Sequence, residues 1–230
     1  IRGEMASALT KLFVRNLKTN VEEELVFADE KVWSPSFSEM QKETNTDNVY
    51  INYSSPKTNG RSYIYNLRTR EKKFIKQQEV LDKNYSPENY ITERLECKSH
   101  DSRLIPLTIT RHKDTKIDGT ANVLLYGYGS YGNSLSFGFS NTRLSLLNRN
   151  IIWCDASVRG GRERGEAWHE EAKILNKKNT FEDYISAAKY LIEKKYSYKG
   201  GIIGYGGSAG GLLLGAVVNQ APELFLGMVI

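Results

Sequence analysis

In "GYGGSAGG" (204–211) one serine stands among five glycines and an alanine. Gly206-Gly207-Ser208-Ala209-Gly210 fits G-x-S-x-G, the spacing of a nucleophile elbow between a strand and a helix. Small residues two before and two after the serine are required, because the strand and helix backbones nearly touch at so sharp a turn. Such a turn would project Ser208 Oγ from the carboxyl end of a sheet, ready to attack a carbonyl carbon. The Ala209 N–H, at the helix start, would face the developing oxyanion. Two other readings fit these letters. Gly204, Gly206 and Ala209 satisfy G-x-G-x-x-A, and Gly127, Gly129 and Gly132 satisfy G-x-G-x-x-G, the glycine pattern of a dinucleotide-binding turn. The plainest reading is a glycine-rich turn whose serine is merely tolerated.

A dinucleotide site needs an acidic residue at the end of the next strand and a helix N-terminus at the glycines. Glu223 lies at the right distance from Gly204 but precedes the next strand instead of ending it. Asp155 does end a strand after the earlier motif, yet "GYGSYGNSLSFGFS" delays the following helix to about residue 140. A P-loop is excluded, since neither glycine run is followed by Lys-Ser or Lys-Thr.

The elements around the serine support an elbow. "ANVLLYGY" (121–128) and "NIIWCDA" (150–156) are continuous apolar runs, as expected of strands covered on both faces. "FEDYISAAKYLIEKK" carries Phe181, Tyr184, Ile185, Ala188, Leu191 and Ile192 on one helical stripe. Thr180, with Asp183 three residues on, predicts a capping-box start for that helix. "GGIIGY" reads as the next strand, "AGGLLLGAVVNQA" as a helix stopped by Pro222, and "LGMVI" as the start of another strand. Strands "YITERLEC" and "SRLIPLTITR" precede this alternation. The pattern is α/β with a mainly parallel sheet and flanking helices.

Before residue 85 the chain differs in character. "KLFVRN", "NVYINYSS", "RSYIYNL" and "KKFIK" are short β-prone runs separated by polar turns, with "SPKTNG" (55–60) a hairpin loop. This all-β stretch has the length of about two propeller blades at ~40–45 residues each, though a sandwich fragment would look much the same. The expected domains are therefore 1–85 and 86–230.

Bulk properties narrow the class. With 230 residues, 40% hydrophobic and 26% charged, the chain can bury a sizeable core. No apolar run approaches the roughly 18 residues of a membrane span, and no signal peptide is visible at the N-terminus. A first residue of Ile1 points to a piece of something longer. Cys97 and Cys154 lack metal-type spacing, so neither a disulfide framework nor a metal site is expected, and the cytoplasm is the default location. The net charge of +5 is spread along the chain rather than clustered, which argues against nucleic acid as a partner.

"LLYGYGSYGNS", "VRGGRERGEAWHEEAKILNKKNTFEDYISAAKYLI" and "GYGGSAGGLLLGAVVNQAPELF", in this order and spacing, resemble the prolyl oligopeptidase family of serine peptidases. "YGYGSYG" and the alanine after the serine resemble its oligopeptidase B (protease II) branch. The resemblance runs from about Tyr90 to Ile230, with residues 1–85 fitting the family's propeller only by β character and position. It implies a partial α/β-hydrolase domain preceded by a partial β-propeller, acting on short peptides after basic residues without a cofactor. Ser208 would be the nucleophile. Tyr128 would donate its hydroxyl to the oxyanion beside the Ala209 N–H; without the resemblance Tyr128 reads as a core aromatic at a strand's end. "VRGG" (158–161) turns the chain, and Arg159 is expected to pair with a carboxylate structurally and not to catalyse.

In α/β-hydrolases the triad runs Ser, Asp or Glu, then His. Residues 209–230 hold Glu223 but neither histidine nor aspartate, and His100, His112 and His169 all precede Ser208. "WHEE" lacks H-E-x-x-H spacing, adjacent letters in "SHDS" (99–102) do not make a triad, and His100 and His112 read as surface residues on strands. The branch favours a second basic residue through two carboxylates that are here Ser136 and Gly138, so no dibasic preference is expected. The chain is accordingly expected to be inactive alone, with an exposed sheet edge and a complementary C-terminal half as a conceivable partner. An esterase-type hydrolase, a remnant acting only by binding, and a dinucleotide-binding enzyme are the alternatives.

Overall fold

The computed structural model describes residues 2–6, 9–25, 30–37 and 45–230. Ile1 and segments 26–29 and 38–44, which fall in the predicted β stretch, lie outside the described residues. The chain divides into two compact units, Ile1–Pro87 with Ser136–Asn141, and Glu88–Leu135 with Thr142–Ile230.

The first unit is antiparallel throughout. Strands β1 (Arg2–Ala6), β2 (Leu9–Arg15) and β3 (Glu22–Glu24) form one sheet. Strands β4 (Ser34–Phe37), β5 (Asn48–Ser54), β6 (Arg61–Asn66) and β7 (Lys72–Gln77) form a four-stranded meander. The hairpin loop predicted at 55–60 joins β5 to β6, closed by Ser55 N–H on Thr58 O (3.0 Å) and Thr58 N–H on Ser55 Oγ (2.9 Å). Alternate residues Ile51, Tyr53 and Tyr65 turn inward with Leu12 and Leu25 to make a small apolar core.

The second unit is a six-stranded mixed sheet in the order β13-β12-β10-β11-β9-β8. In chain order its elements are β8 (Tyr90–Lys98), β9 (Leu104–His112), β10 (Val123–Tyr126), α1 (Asn141–Leu147), β11 (Ile152–Ala156), α2 (Glu166–Glu170), α3 (Lys178–Glu193), β12 (Ile202–Tyr205), α4 (Ala209–Gln220) and β13 (Phe225–Val229). Strands β11, β10, β12 and β13 run parallel, while β9 is antiparallel to both β11 and β8. Val123, Leu125, Ile152, Cys154 and Ile202 are sealed beneath Tyr184, Ala188, Leu191, Leu213 and Val217 of α3 and α4. The opposite face is only half covered, contrary to the expectation of burial on both. There Tyr126, Trp153 and Tyr205 pack together at ring-centroid distances of 5.3–6.3 Å, with the Arg143 guanidinium 4.9 Å over Trp153. Aromatic rings with polar tips tolerate a partly wet face, so the apolar run did not require a second cover.

The predicted capping box is not what starts α3. The helix begins at Lys178, and its cap residue, Lys177, has helical dihedrals (φ −57, ψ −26) and no side-chain cap bond. Thr180 is fully buried inside the helix and donates to Arg159 O (2.9 Å), while Asp183 accepts from Arg159. A tertiary partner outcompetes the local cap for both side chains.

Candidate active site

Register brings the site together. Tyr126 of β10 is paired with Tyr205 of β12, so Gly127-Tyr128 and Gly206-Gly207-Ser208 leave neighbouring strands side by side at the carboxyl edge. The Gly127 N–H still bonds Tyr205 O (3.1 Å) as the strands end. Ser208 then takes φ 55, ψ −120, a strained conformation for a residue with a side chain, and Ala209 opens α4. Ser208 is exposed on this corner. As the first helical residue, Ala209 has an N–H with no acceptor inside the helix.

The crowding that demands small residues is measurable. A Cβ on Gly206 would lie 2.7 Å from Gly127 O, and one on Gly210 would lie 2.8 Å from Gly127 O and 3.7 Å from both Cα and Cδ2 of Tyr128. The first turn of α4 is thus pressed against the end of β10, with the half-buried Tyr128 beside it. Gly215, five residues further along α4, would meet nothing within 4 Å. The same substitution should therefore have opposite signs on one helix. Gly215→Ala should stabilise the unit by up to about 1 kcal/mol through helix propensity, whereas Gly210→Ala should destabilise it by about 1–3 kcal/mol through overpacking. Urea unfolding of the two variants checks this, and a stabilised Gly210→Ala would remove the steric account of the elbow.

Comparison with known proteins decides the family. Residues 137–230 match the prolyl oligopeptidase family. The chain is 41% identical over 224 residues to "Dipeptidyl aminopeptidase BI" of Pseudoxanthomonas mexicana, covering 97% of this chain and 30% of that protein. It is 40% identical over 181 residues to "Protease 2" of Moraxella lacunata, covering 79% of this chain and 26% of that protein. Oligopeptidase B from Leishmania major superposes with a TM-score of 0.88 at 32% identity, over 98% of this chain and 32% of that one. The chain belongs to the prolyl oligopeptidase family. It spans about a third of the length of the relatives it matches. Its six-stranded sheet is part of the family's α/β-hydrolase domain, and the antiparallel sheets before it are part of the propeller.

The family's Ser–Asp–His chemistry needs a base, and the three histidines are each engaged locally. His100 is exposed in the turn between β8 and β9, not on a strand as predicted, with Nδ1 3.2 Å from Ser99 Oγ. His112 ends β9, its ring edge-on to Tyr90 and its Nδ1 accepting from Asp114 N–H (3.3 Å). Because β9 runs antiparallel to β11, His112 lies at the end of the sheet away from Ser208. His169 on α2 places Nδ1 2.9 Å from Gly160 O.

Arg159 pairs with carboxylates, as expected, and does so completely buried. It donates through Nε to Asp183 Oδ2 (2.9 Å), through Nη2 to Asp183 Oδ1 (2.7 Å) and through Nη1 to Asp101 Oδ2 (2.5 Å). Ser99 Oγ also donates to Asp183 Oδ1 (2.5 Å), so "SHDS" serves this network rather than a triad. Gly160, at φ 107, backs directly onto the Gly129 carbonyl, which locks the loop after β11 against the loop that carries Tyr128. Asp155, the acidic residue a dinucleotide reading would need, is buried with its Oδ1 accepting from Trp153 Nε1–H (2.8 Å). Burial raises its pKa against the opposing charge of Arg143, and it presents no carboxylate to a ribose. Burial likewise raises the Tyr126 hydroxyl, with Asp155 adding to the shift.

Two residues near the site, both inside the segment 158–192 that carries the family resemblance, were given no role of their own by the sequence. Glu163 is buried, accepts from Leu135 N–H (3.0 Å) through Oε1, and has no partner for Oε2 among the described residues. Lys177 reaches from the cap of α3 to the Tyr128 loop. Periodicity and spacing register neither, because both act across long sequence separations. Cys97 and Cys154 are free and buried, and burial pushes the Cys97 thiol up to about 12. Among the described residues, no three His, Cys, Asp or Glu side chains gather as a metal would need, and no helix is long and apolar enough to cross a membrane.

Proposed function

We propose that this chain carries the acyl-transfer centre of a serine endopeptidase of the oligopeptidase B type, acting on short peptides after basic residues. Ser208 Oγ bonds to the scissile carbonyl carbon while its proton passes to a general base, and the oxyanion is met by the Ala209 N–H and the Tyr128 hydroxyl. Collapse of the tetrahedral species breaks the C–N bond, the amine leaves with a proton, and water then hydrolyses the acyl-serine. A phenol suits the second donor because it is neutral near pH 7 and bonds more strongly as the oxygen gains charge. The observation that carries this reading is Ser208 at φ 55, ψ −120 on a strand–helix corner, with Tyr128 packed on the first turn of the helix. The oligopeptidase B of Trypanosoma brucei, described with covalently bound antipain, supports a covalent intermediate and the branch assignment. The two buried, unpaired cysteines fit a reducing cytoplasm.

His112 lies at the far end of the sheet, and His100 and His169 each contact a neighbour through Nδ1; in this reading Ser208 is unreactive without a base from outside these residues. The isolated chain should resist a fluorophosphonate probe, while the full-length protein that carries it should be labelled at Ser208 and lose labelling in Ser208→Ala. Strong labelling of the isolated chain would show that a base is present within it. Labelling of the full-length protein that survives Ser208→Ala would end the nucleophile assignment. A second reading, release of dipeptides from free N-termini, is favoured by the name of the Pseudoxanthomonas relative. Cleavage of N-acetylated peptides as fast as free ones would exclude it.

A further inference from the structure

Lys177 sits where a cation is least welcome. It caps the N-terminus of α3, the positive end of that helix, and it is half-buried. Burial lowers its pKa. Yet its ammonium is fully used, donating to Gly129 O (2.5 Å), Ser130 Oγ (2.8 Å) and Thr180 Oγ1 (3.2 Å). Three donors meet three acceptors, so the nitrogen has no lone pair to offer as a base and acts as a fastener.

Two of the three acceptors belong to the residues immediately after Tyr128. That stretch needs holding: Gly129 (φ 63), Tyr131 (φ 57) and Gly132 (φ 67) all adopt left-handed backbone, and the Tyr131 side chain is exposed and so lends no packing. The third acceptor, Thr180, in turn donates a hydrogen bond from its hydroxyl to Arg159 O (2.9 Å), on the loop whose Gly160 presses against Gly129. The Tyr128 loop is also bonded across to the loop after β11, Gly132 N–H to Gly160 O (2.9 Å), and within itself, Asn133 N–H to Ser130 O (3.0 Å). We infer that Lys177 is a positioning residue: its three-point grip fixes the backbone that aims the Tyr128 hydroxyl at the oxyanion. This rests on Tyr128 being an oxyanion donor.

Two measurements test it. Amide exchange on this chain should show Gly132 and Asn133 opening about tenfold faster in Lys177→Met, with Ala187 and Ala188 of α3 unchanged. Lys177→Arg should not restore protection, because a planar fork cannot reach three converging acceptors. Unchanged exchange at Gly132 and Asn133, or uniform acceleration through α3, would overturn the proposal. In the full-length protein, Lys177→Met should lower kcat about tenfold and leave KM within about twofold, while Tyr128→Phe alone should lower kcat about 100-fold. Added to Tyr128→Phe, Lys177→Met should cost less than about twofold more, because the group it aims is already gone. A full tenfold loss on top of Tyr128→Phe defeats this inference alone. A harmless Tyr128→Phe defeats the reading of Tyr128 on which it stands.

Discussion

Arg159→Met is expected to destabilise the second unit by about 3–5 kcal/mol, the usual result of removing one partner from a buried ion pair. Arg159 is 1% exposed and Asp183 is 0% exposed. The guanidinium ties three elements that are far apart in sequence: the β8–β9 turn through Asp101, the loop after β11 through its own backbone, and α3 through Asp183. Methionine fills much of the same volume but leaves Asp183 with the Ser99 hydroxyl and one backbone N–H as donors. The cost comes from leaving a buried carboxylate without its charged partner. Urea unfolding of the variant beside its parent under the same conditions should show this deficit. Asp183→Asn, added to Arg159→Met, should recover part of the deficit by discharging the orphaned site. A deficit that Asp183→Asn leaves untouched would assign the loss to packing and not to charge.

Glu163→Gln is expected to do the reverse, stabilising the unit at pH 8 by up to about 3 kcal/mol. Burial pushes the Glu163 carboxyl up to about 7 from an ordinary 4.5, against the pull of the Leu135 N–H, its own backbone N–H and the Arg94 charge. A carboxylate whose folded pKa is raised contributes its stability below the unfolded pKa and loses it as pH rises through the folded one. The window is therefore about pH 4.5 to 7, and roughly 2.5 pKa units correspond to about 3 kcal/mol. Glutamine keeps an acceptor for Leu135 N–H and places a donor where Oε2 has no partner. The variant should match its parent near pH 4, gain on it through the window and hold the gain at pH 8. A variant that is equally destabilised at pH 4 and pH 8 would mean that Glu163 is not a buried charge at neutral pH.

Much of the candidate site could be read from the letters alone. The elbow around Ser208 is legible because its demand is local: a strand, a corner and a helix in immediate succession admit only small residues at Gly206 and Gly210. The hairpin at 55–60 and the late helix at Asn141 are legible for the same reason, since turn chemistry and periodicity are short-range. The errors came where a distant partner won. Thr180 and Asp183 have the spacing of a cap but spend their hydrogen bonds on Arg159, 21 and 24 residues away in sequence.

The sequence by itself determined that a strained serine would stand on a strand–helix corner in an α/β sheet, because steric exclusion at a tight turn is written in consecutive residues. Only the tertiary structure decided what surrounds it: Tyr128 beside α4, Lys177 gripping the next two residues, Arg159 sealed between Asp101 and Asp183, and Glu163 buried behind the loop. Those arrangements depend on desolvated charges and hydrogen bonds between segments that meet only when the sheet closes their separation. No spacing along the chain encodes that.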